Sequence, residues 1–130
     1  MNITTINPWQ WQNNFGYAQA VEIKNNQGTL YCSGQAAMDA DGNPVGGNMA
    51  EQLQLSLQNL EQVIQQAGYQ PGNIVRLNFY TTSIPDFFAA YGSIVSWLQS
   101  HQVAPSSTLV QVTALAFPEL AVEIEATVVR

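Results

Sequence analysis

Leu120-Ala121-Val122-Glu123-Ile124-Glu125-Ala126-Thr127-Val128-Val129 closes the chain as an alternating run. Leu120, Val122, Ile124, Ala126 and Val128 fall on one side; Ala121, Glu123, Glu125 and Thr127 fall on the other. A period of two belongs to a strand with one buried face. Upstream, Ser106-Ser107-Thr108-Leu109-Val110-Gln111-Val112 reads as another strand, and Pro118 predicts a turn that joins the two. Two carboxylates thus project from one face of an otherwise apolar strand. A solvated sheet surface accounts for them without chemistry.

Outward from this run, Asn73–Thr82 reads as the central strand, with Val75, Leu77, Phe79 and Thr81 alternating against Ile74, Arg76, Asn78 and Tyr80. Before it, Asn48 and Glu51 announce a helix over Met49–Ala67 by the spacing of a capping box. Leu53, Leu57, Leu60, Ile64 and Ala67 form its apolar stripe, Gly68 stops it, and its glutamines, Gln52 included, read as solvent-facing. After the central strand, Ser83-Ile84-Pro85-Asp86 opens a second helix that buries Phe87, Tyr91, Ile94, Val95 and Leu98. His101 lies near its C-terminal end, where a surface histidine complements the dipole. Tyr17–Lys24 and Thr29–Gln35 read as strands of a hairpin around Asn25-Asn26-Gln27-Gly28. Ile3–Ile6 is a minor strand. Hairpins at both ends with helical crossovers between them predict one α+β domain over residues 1–130, a two-layer fold with two helices on one face of a mixed sheet.

Composition narrows the functions open to such a domain. Charged residues make up 9% of the chain, against roughly 25% in an average domain. The strands also carry apolar residues on both sides, as with Ile74 and Tyr80 opposite Val75 and Phe79. Both features predict that a second copy of the chain covers the open sheet face. Three Lys+Arg against nine Asp+Glu leave a net charge of −6. Lys24, Arg76 and Arg130 are too few and scattered to displace counterions from a phosphate backbone, so no nucleic-acid partner is expected. Cys32, the single cysteine, reads as a small buried hydrophobe. With His101 the only histidine, no metal site or cofactor is expected. Asp39-Ala40-Asp41-Gly42-Asn43 is a turn that lacks the closing glutamate of a calcium loop. No basic leader or membrane-length apolar run is seen, so the expected location is the cytoplasm, with no membrane partner.

Several segments in order resemble the reactive-intermediate deaminase family (RidA, YjgF or L-PSP). They are Gly16-Tyr17-Ala18-Gln19-Ala20-Val21, Leu30-Tyr31-Cys32-Ser33-Gly34-Gln35, Asn59-Leu60-Glu61-Gln62-Val63, Val75 to Thr82, Asp86-Phe87 and Val122-Glu123-Ile124-Glu125-Ala126. The resemblance implies a chorismate-mutase-like fold and a homotrimer with small-molecule clefts between subunits. It also implies hydrolysis of 2-imino and enamine acids to 2-keto acids and ammonia. On this resemblance Glu123 matches the glutamate that positions water, Tyr17 the pocket tyrosine, and Ser33-Gly34 a backbone contact to the ligand. The family's substrate-binding arginine is absent: Ser107-Thr108 stand where its Arg-Ser precedes the stretch matching Leu109-Val110-Gln111-Val112. Tyr91 takes the place of a second-helix asparagine.

Loss of that arginine removes a charge-assisted bond of about 1.5–3 kcal/mol and the counter-charge of an anionic substrate. A neutral or cationic ligand is therefore favoured. Two readings follow from the resemblance. In the first, the protein is an imine or enamine hydrolase in which Glu123 activates water while Ser107, Thr108 and the backbone near Leu109 polarise the electrophile. In the second, it is a non-catalytic binding trimer walled by Trp9, Trp11, Tyr17 and Tyr91. The ribonuclease activity attached to some family members fits worst with a pI of about 4.2.

Overall fold

The signals that stand close together along the chain produce the helix they predict. In the computed structural model, which describes residues 1–130, helix α1 runs Met49–Gln66. The Asn48 side chain accepts the Glu51 N–H at 2.9 Å, and the Glu51 carboxylate accepts the Asn48 N–H at 3.1 Å. This reciprocal cap satisfies two of the helix's free donors. Gly68 ends the helix at a φ of +81°, a conformation that glycine reaches without a Cβ clash. Leu53, Leu57, Leu60 and Ile64 are buried, whereas Ala67, beyond the last turn, is exposed.

Gln52 departs from expectation: it is 2% exposed. Its amide donates to the carbonyls of Gly47 at 3.0 Å and Glu119 at 2.9 Å, and its oxygen accepts the Ala121 N–H at 2.7 Å. A buried amide is tolerated when its donors and acceptor are matched in this way. Gln52 therefore ties α1 to the entry of the last strand.

Nine elements besides short 3-10 turns make up the chain. Strands β1 (Asn2–Ile6), β2 (Ala20–Lys24) and β3 (Thr29–Gln35) precede α1; β4 (Ile74–Thr81), helices α2 (Ile84–Ala89) and α3 (Gly92–Ser100), β5 (Ser106–Gln111) and β6 (Val122–Val129) follow it. The main sheet has the order β3-β6-β4-β5. Strand β6 is antiparallel to both neighbours, while β4 and β5 are parallel. The sheet is mixed, as expected, but neither predicted hairpin forms. Strand β6 does not pair with β5 across Pro118; it lies between β3 and β4, and β5 is an edge. Every second residue of β6 from Val122 to Val128 is buried, so an interior position covers the strand that is most apolar on one face. Strand β5, only partly buried, takes the edge and reaches β4 through the α2–α3 crossover that a parallel pair requires.

Residues 25–28 do not close a hairpin either. Strand β2 pairs with β1 in a separate two-stranded ribbon, and the N–H groups of Gln27 and Gly28 donate to the Arg130 carbonyl. The turn binds the far end of the chain instead of returning β2 alongside β3.

The predicted second helix is two helices, broken at Ala90–Tyr91. Ser83 caps α2 by accepting the Asp86 N–H at 3.3 Å. All three helices join one face of the sheet in a single core, in which Leu53, Leu60, Phe87, Ile94 and Leu98 pack with Leu77, Phe79, Ile124 and Val128. The opposite face corrects a second expectation. Ile74, read as one of its apolar residues, is 2% exposed and belongs to the core. The open face carries Arg76, Asn78 and Tyr80 from β4, and Glu123, Glu125 and Thr127 from β6, in register with one another. Tyr31, paired with Thr127, is the large exposed ring there. The face is mainly polar. No helix is long and apolar enough to cross a membrane.

Candidate functional site

Two groups of residues stand out, one on each side of the main sheet. The first begins at the 3-10 turn Trp11–Phe15, which ends at Gly16 with a φ of +80°. A Cβ at residue 16 would lie 3.1 Å from Leu98 Cδ1, so glycine suits both the conformation and the close passage over α3. The chain then runs beside β5: the Ala18 N–H donates to the Pro105 carbonyl at 2.9 Å, and Ala18 bridges Ser106 in parallel. Tyr17 is thereby held against the start of β5.

On β5, Ser107 and Leu109 pair with Leu77 and Phe79 and share their helix-side face. Together with Tyr17 they line a cavity of about 250 Å³, completed by Trp11, Phe15, Phe79, Phe88 and Tyr91. Burial pushes the Tyr91 phenol up to about 12, and the neighbouring Tyr17 adds to the shift. The neutral Tyr91 hydroxyl donates to the Phe15 carbonyl at 2.7 Å. It pins the 3-10 turn over the cavity, while the hydroxyls of Tyr17 and Ser107 stay free of bonds within the chain. Trp11 meets Tyr17 edge-on with ring centres 6.3 Å apart, and Trp9 stacks on the outside of Trp11 at 6.4 Å. Trp11 is a wall; Trp9 only backs it.

The second group lies on the open face. Glu123 crosses directly over Gly34: a Cβ at residue 34 would stand 2.6 Å from Glu123 Cδ and 2.8 Å from Cγ. The β3–β6 register slips between Cys32 and Gln35, so Gly34 sits within a bulge. Ser33, beside it, is exposed. The two carboxylates of β6 differ. Glu125 accepts the Tyr80 hydroxyl at 2.5 Å and Asn78 Nδ2 at 3.0 Å. The hydrogen bond to Glu125 raises the Tyr80 phenol above its ordinary value, aided by desolvation and by both carboxylates. Glu123 accepts no such bond and is the uncommitted carboxylate of the pair.

These positions divide the residues anticipated from the sequence. Tyr17, Tyr91, Ser107 and Leu109 come together around the cavity. Glu123, Gly34 and Ser33 come together on the other side. Thr108 does not join Ser107 in polarising one electrophile, because alternation turns it to the open face, where its hydroxyl accepts Arg76 Nη2 at 2.6 Å. Phe15, Phe79 and Phe88 were not anticipated as walls. The adjacency of Phe15 to Gly16, and of exposed Phe88 to buried Phe87, is the trace they leave in the sequence.

No cation lines the cavity. Lys24 lies 3.5 Å from Glu22, Arg76 is on the open face, and Arg130 covers the Tyr69 ring at 4.7 Å. Cys32 is in the core, where burial pushes its thiol up and keeps it unreactive. His101 lies 3.5 Å from Glu61 and against Trp97, away from both groups.

Comparison with known proteins places the chain among relatives. The family described as Endoribonuclease L-PSP matches residues 11–130. The mitochondrial protein mmf2 of Schizosaccharomyces pombe is 42% identical over 73 residues, which are 56% of this chain. The chain spans only about half of that relative, 55% of its length. The 2-iminobutanoate/2-iminopropanoate deaminase of Escherichia coli K12 is 27% identical over 88% of this chain and 87% of its own. The crystal structure of the Rid-family protein YyfB from Yersinia pestis superposes with a TM-score of 0.87 at 35% identity, covering all of both chains.

Proposed function

The chain belongs to the endoribonuclease L-PSP family, that of the Rid and YjgF proteins, and from that premise we propose that it is a homotrimeric hydrolase of imines or enamines that lack a carboxylate. Some relatives carry deaminase names. In this reading three copies adopt the chorismate-mutase-like arrangement, and the open face of each abuts the aromatic cavity of the next. Glu123, over the Gly34 bulge, enters its neighbour's cavity and meets Tyr17, Tyr91, Ser107 and Leu109.

One observation carries the proposal. The uncommitted carboxylate and the cavity lie on opposite faces of one sheet, so a site using both requires two subunits. The open face is polar but has only one cation, and pairing it with a neighbour would shield Glu123 from bulk water while leaving room for the reacting one. Within the cleft the substrate is a protonated imine, an iminium ion carrying one positive charge. Glu123 takes a proton from water as the water oxygen bonds to the iminium carbon, then returns that proton to nitrogen. The carbon–nitrogen bond breaks, and the second water proton leaves with the nitrogen. One iminium ion and one water thus become one aldehyde or ketone and one ammonium ion; atoms and charge balance. The Tyr17 and Ser107 hydroxyls steady the developing tetrahedral centre. Strand β5 is an edge, so alternate residues near Leu109 offer unpaired backbone N–H groups at the same place.

A second reading, a trimer that binds a small ligand without turnover, draws on the apolar character of seven of the eight cavity residues. Ribonuclease action fits worst, given the −6 charge and single histidine. Cytoplasmic residence belongs to this proposal; mmf2 is described as mitochondrial, and cell fractionation separates the two.

The deciding experiment measures ammonia release above the spontaneous rate. One imine is made by an amine oxidase from a primary amine; the other is 2-iminopropionate. The expected result is turnover of the first, little of the second, and loss of both in Glu123→Gln. Ser107→Arg should gain activity on 2-iminopropionate. Efficient turnover of 2-iminopropionate by the natural protein would refute the exclusion of carboxylates, and ligand binding without any turnover would leave the second reading.

A further inference from the structure

We infer that the aromatic cavity recognises an organic cation, a quaternary or protonated amino headgroup held among Trp11, Tyr17, Phe15, Phe88 and Tyr91. This rests on the cavity being the ligand site proposed above, but not on hydrolysis taking place there. The rings that line the cavity are packed against one another at steep angles. Trp11 and Tyr17 meet at 75°, and Phe15 meets both Phe88 and Tyr91 at 64°. The face of an aromatic ring carries partial negative charge, and a cation within about 6 Å of its centre is attracted to it. Trp9, nearly parallel to Trp11 at an interplanar angle of 7°, supports the outermost wall, which is 56% exposed.

Charge favours the same guest. A carboxylate would find no cation in the cavity, because Lys24, Arg76 and Arg130 are all engaged elsewhere. It would also be opposed by a chain of net charge −6. A neutral guest could use the apolar walls but would gain nothing from that charge or from a neighbour's Glu123. Only a cation is favoured by rings, net charge and carboxylate together. A volume of about 250 Å³ admits a headgroup of trimethylammonium size.

The test is calorimetric titration of the full chain with choline, with its neutral isostere 3,3-dimethylbutan-1-ol, and with propionate. Choline is expected to bind at least about fivefold tighter than the isostere, and propionate weakest. The preference should persist at about 0.5 M salt, where diffuse attraction to the acidic surface is screened. Trp11→Leu and Phe88→Leu, both at exposed rings, should reduce that preference to less than about twofold, the cation losing more affinity than the isostere. Equal binding of choline and isostere, preference for propionate, or no binding of any of the three would overturn the inference. A cation preference without ammonia release would sink only the hydrolytic proposal. Ammonia release without cation preference would sink only this inference.

Discussion

Ser107 and Glu123 stand on opposite faces of the same sheet: Ser107 pairs with Leu77 and shares its buried side, whereas Glu123 pairs with Tyr80 on the open side. Strand alternation makes this arrangement rigid, since a side chain cannot change face without a shift of register. If both residues serve one ligand, they serve it from different chains.

Mixed oligomers test that separation directly. Glu123→Gln retains the cavity, and Leu109→Arg blocks it while retaining Glu123. Each should be inactive alone. After denaturation and co-refolding at equal concentrations, half times half of the clefts combine an intact cavity with an intact carboxylate, so about a quarter of natural ammonia release should return. No recovery, with mixed trimers demonstrated by native mass spectrometry, would show that the site lies within one chain.

Gly34→Ala should damage catalysis more than folding. The new Cβ would stand 2.6 Å from Glu123 Cδ, and the carboxylate must swing aside. A displacement on this scale predicts an activity loss of about 100-fold. The melting midpoint should fall by only a few degrees, as for overpacking of about 1–2 kcal/mol. Parallel thermal melts and ammonia assays read the two effects.

Gln52→Ala should behave in the opposite order. It leaves the carbonyls of Gly47 and Glu119 and the N–H of Ala121 without their partner. Urea unfolding is expected to show a loss of about 2–4 kcal/mol. Gln52→Glu should cost at least as much, since a buried carboxylate cannot donate to two carbonyls.

Alkaline stability should be set by Tyr91 and Tyr80. Both phenols titrate higher in the folded chain than their ordinary value of 10.0, Tyr91 at about 12. Above about pH 10 the unfolded chain loses these protons while the folded chain keeps them. Stability is therefore complete below about pH 10 and falls as pH rises toward about 12. Tyr91→Phe should flatten that fall and, through loss of the bond to the Phe15 carbonyl, lower stability at neutral pH by about 1 kcal/mol. An unchanged slope across that alkaline window would contradict the assignment. Denaturant midpoints at stepped pH provide the measurement.

Features carried by neighbouring residues are legible in the order of amino acids alone. Asn48 and Glu51, three positions apart, form the cap they announce, Gly68 ends the helix, and Ser83 caps the next one. These depend on hydrogen bonds within a few residues and on one glycine's access to positive φ. The alternation of β6 is equally plain, because pleating makes two faces whatever the strand pairs with. The scarcity of cations needs only the residues.

Strand order, Gln52 and the division of the site are decided by tertiary structure. Alternation states that a strand has a buried side but not which edges it offers to which partner. Proximity around Pro118 suggests β5, yet β6 pairs with β3 and β4, far away in the chain. Gln52 looks like any surface glutamine until the loop ending at Ala121 folds over it. Tyr17, Tyr91 and Ser107 become one cavity only because Ala18 docks beside β5 and the helix breaks at Tyr91. The amino-acid order determines which groups are present and the short elements that carry them; long-range pairing and burial determine which groups meet, because those energies exist only once distant segments have packed.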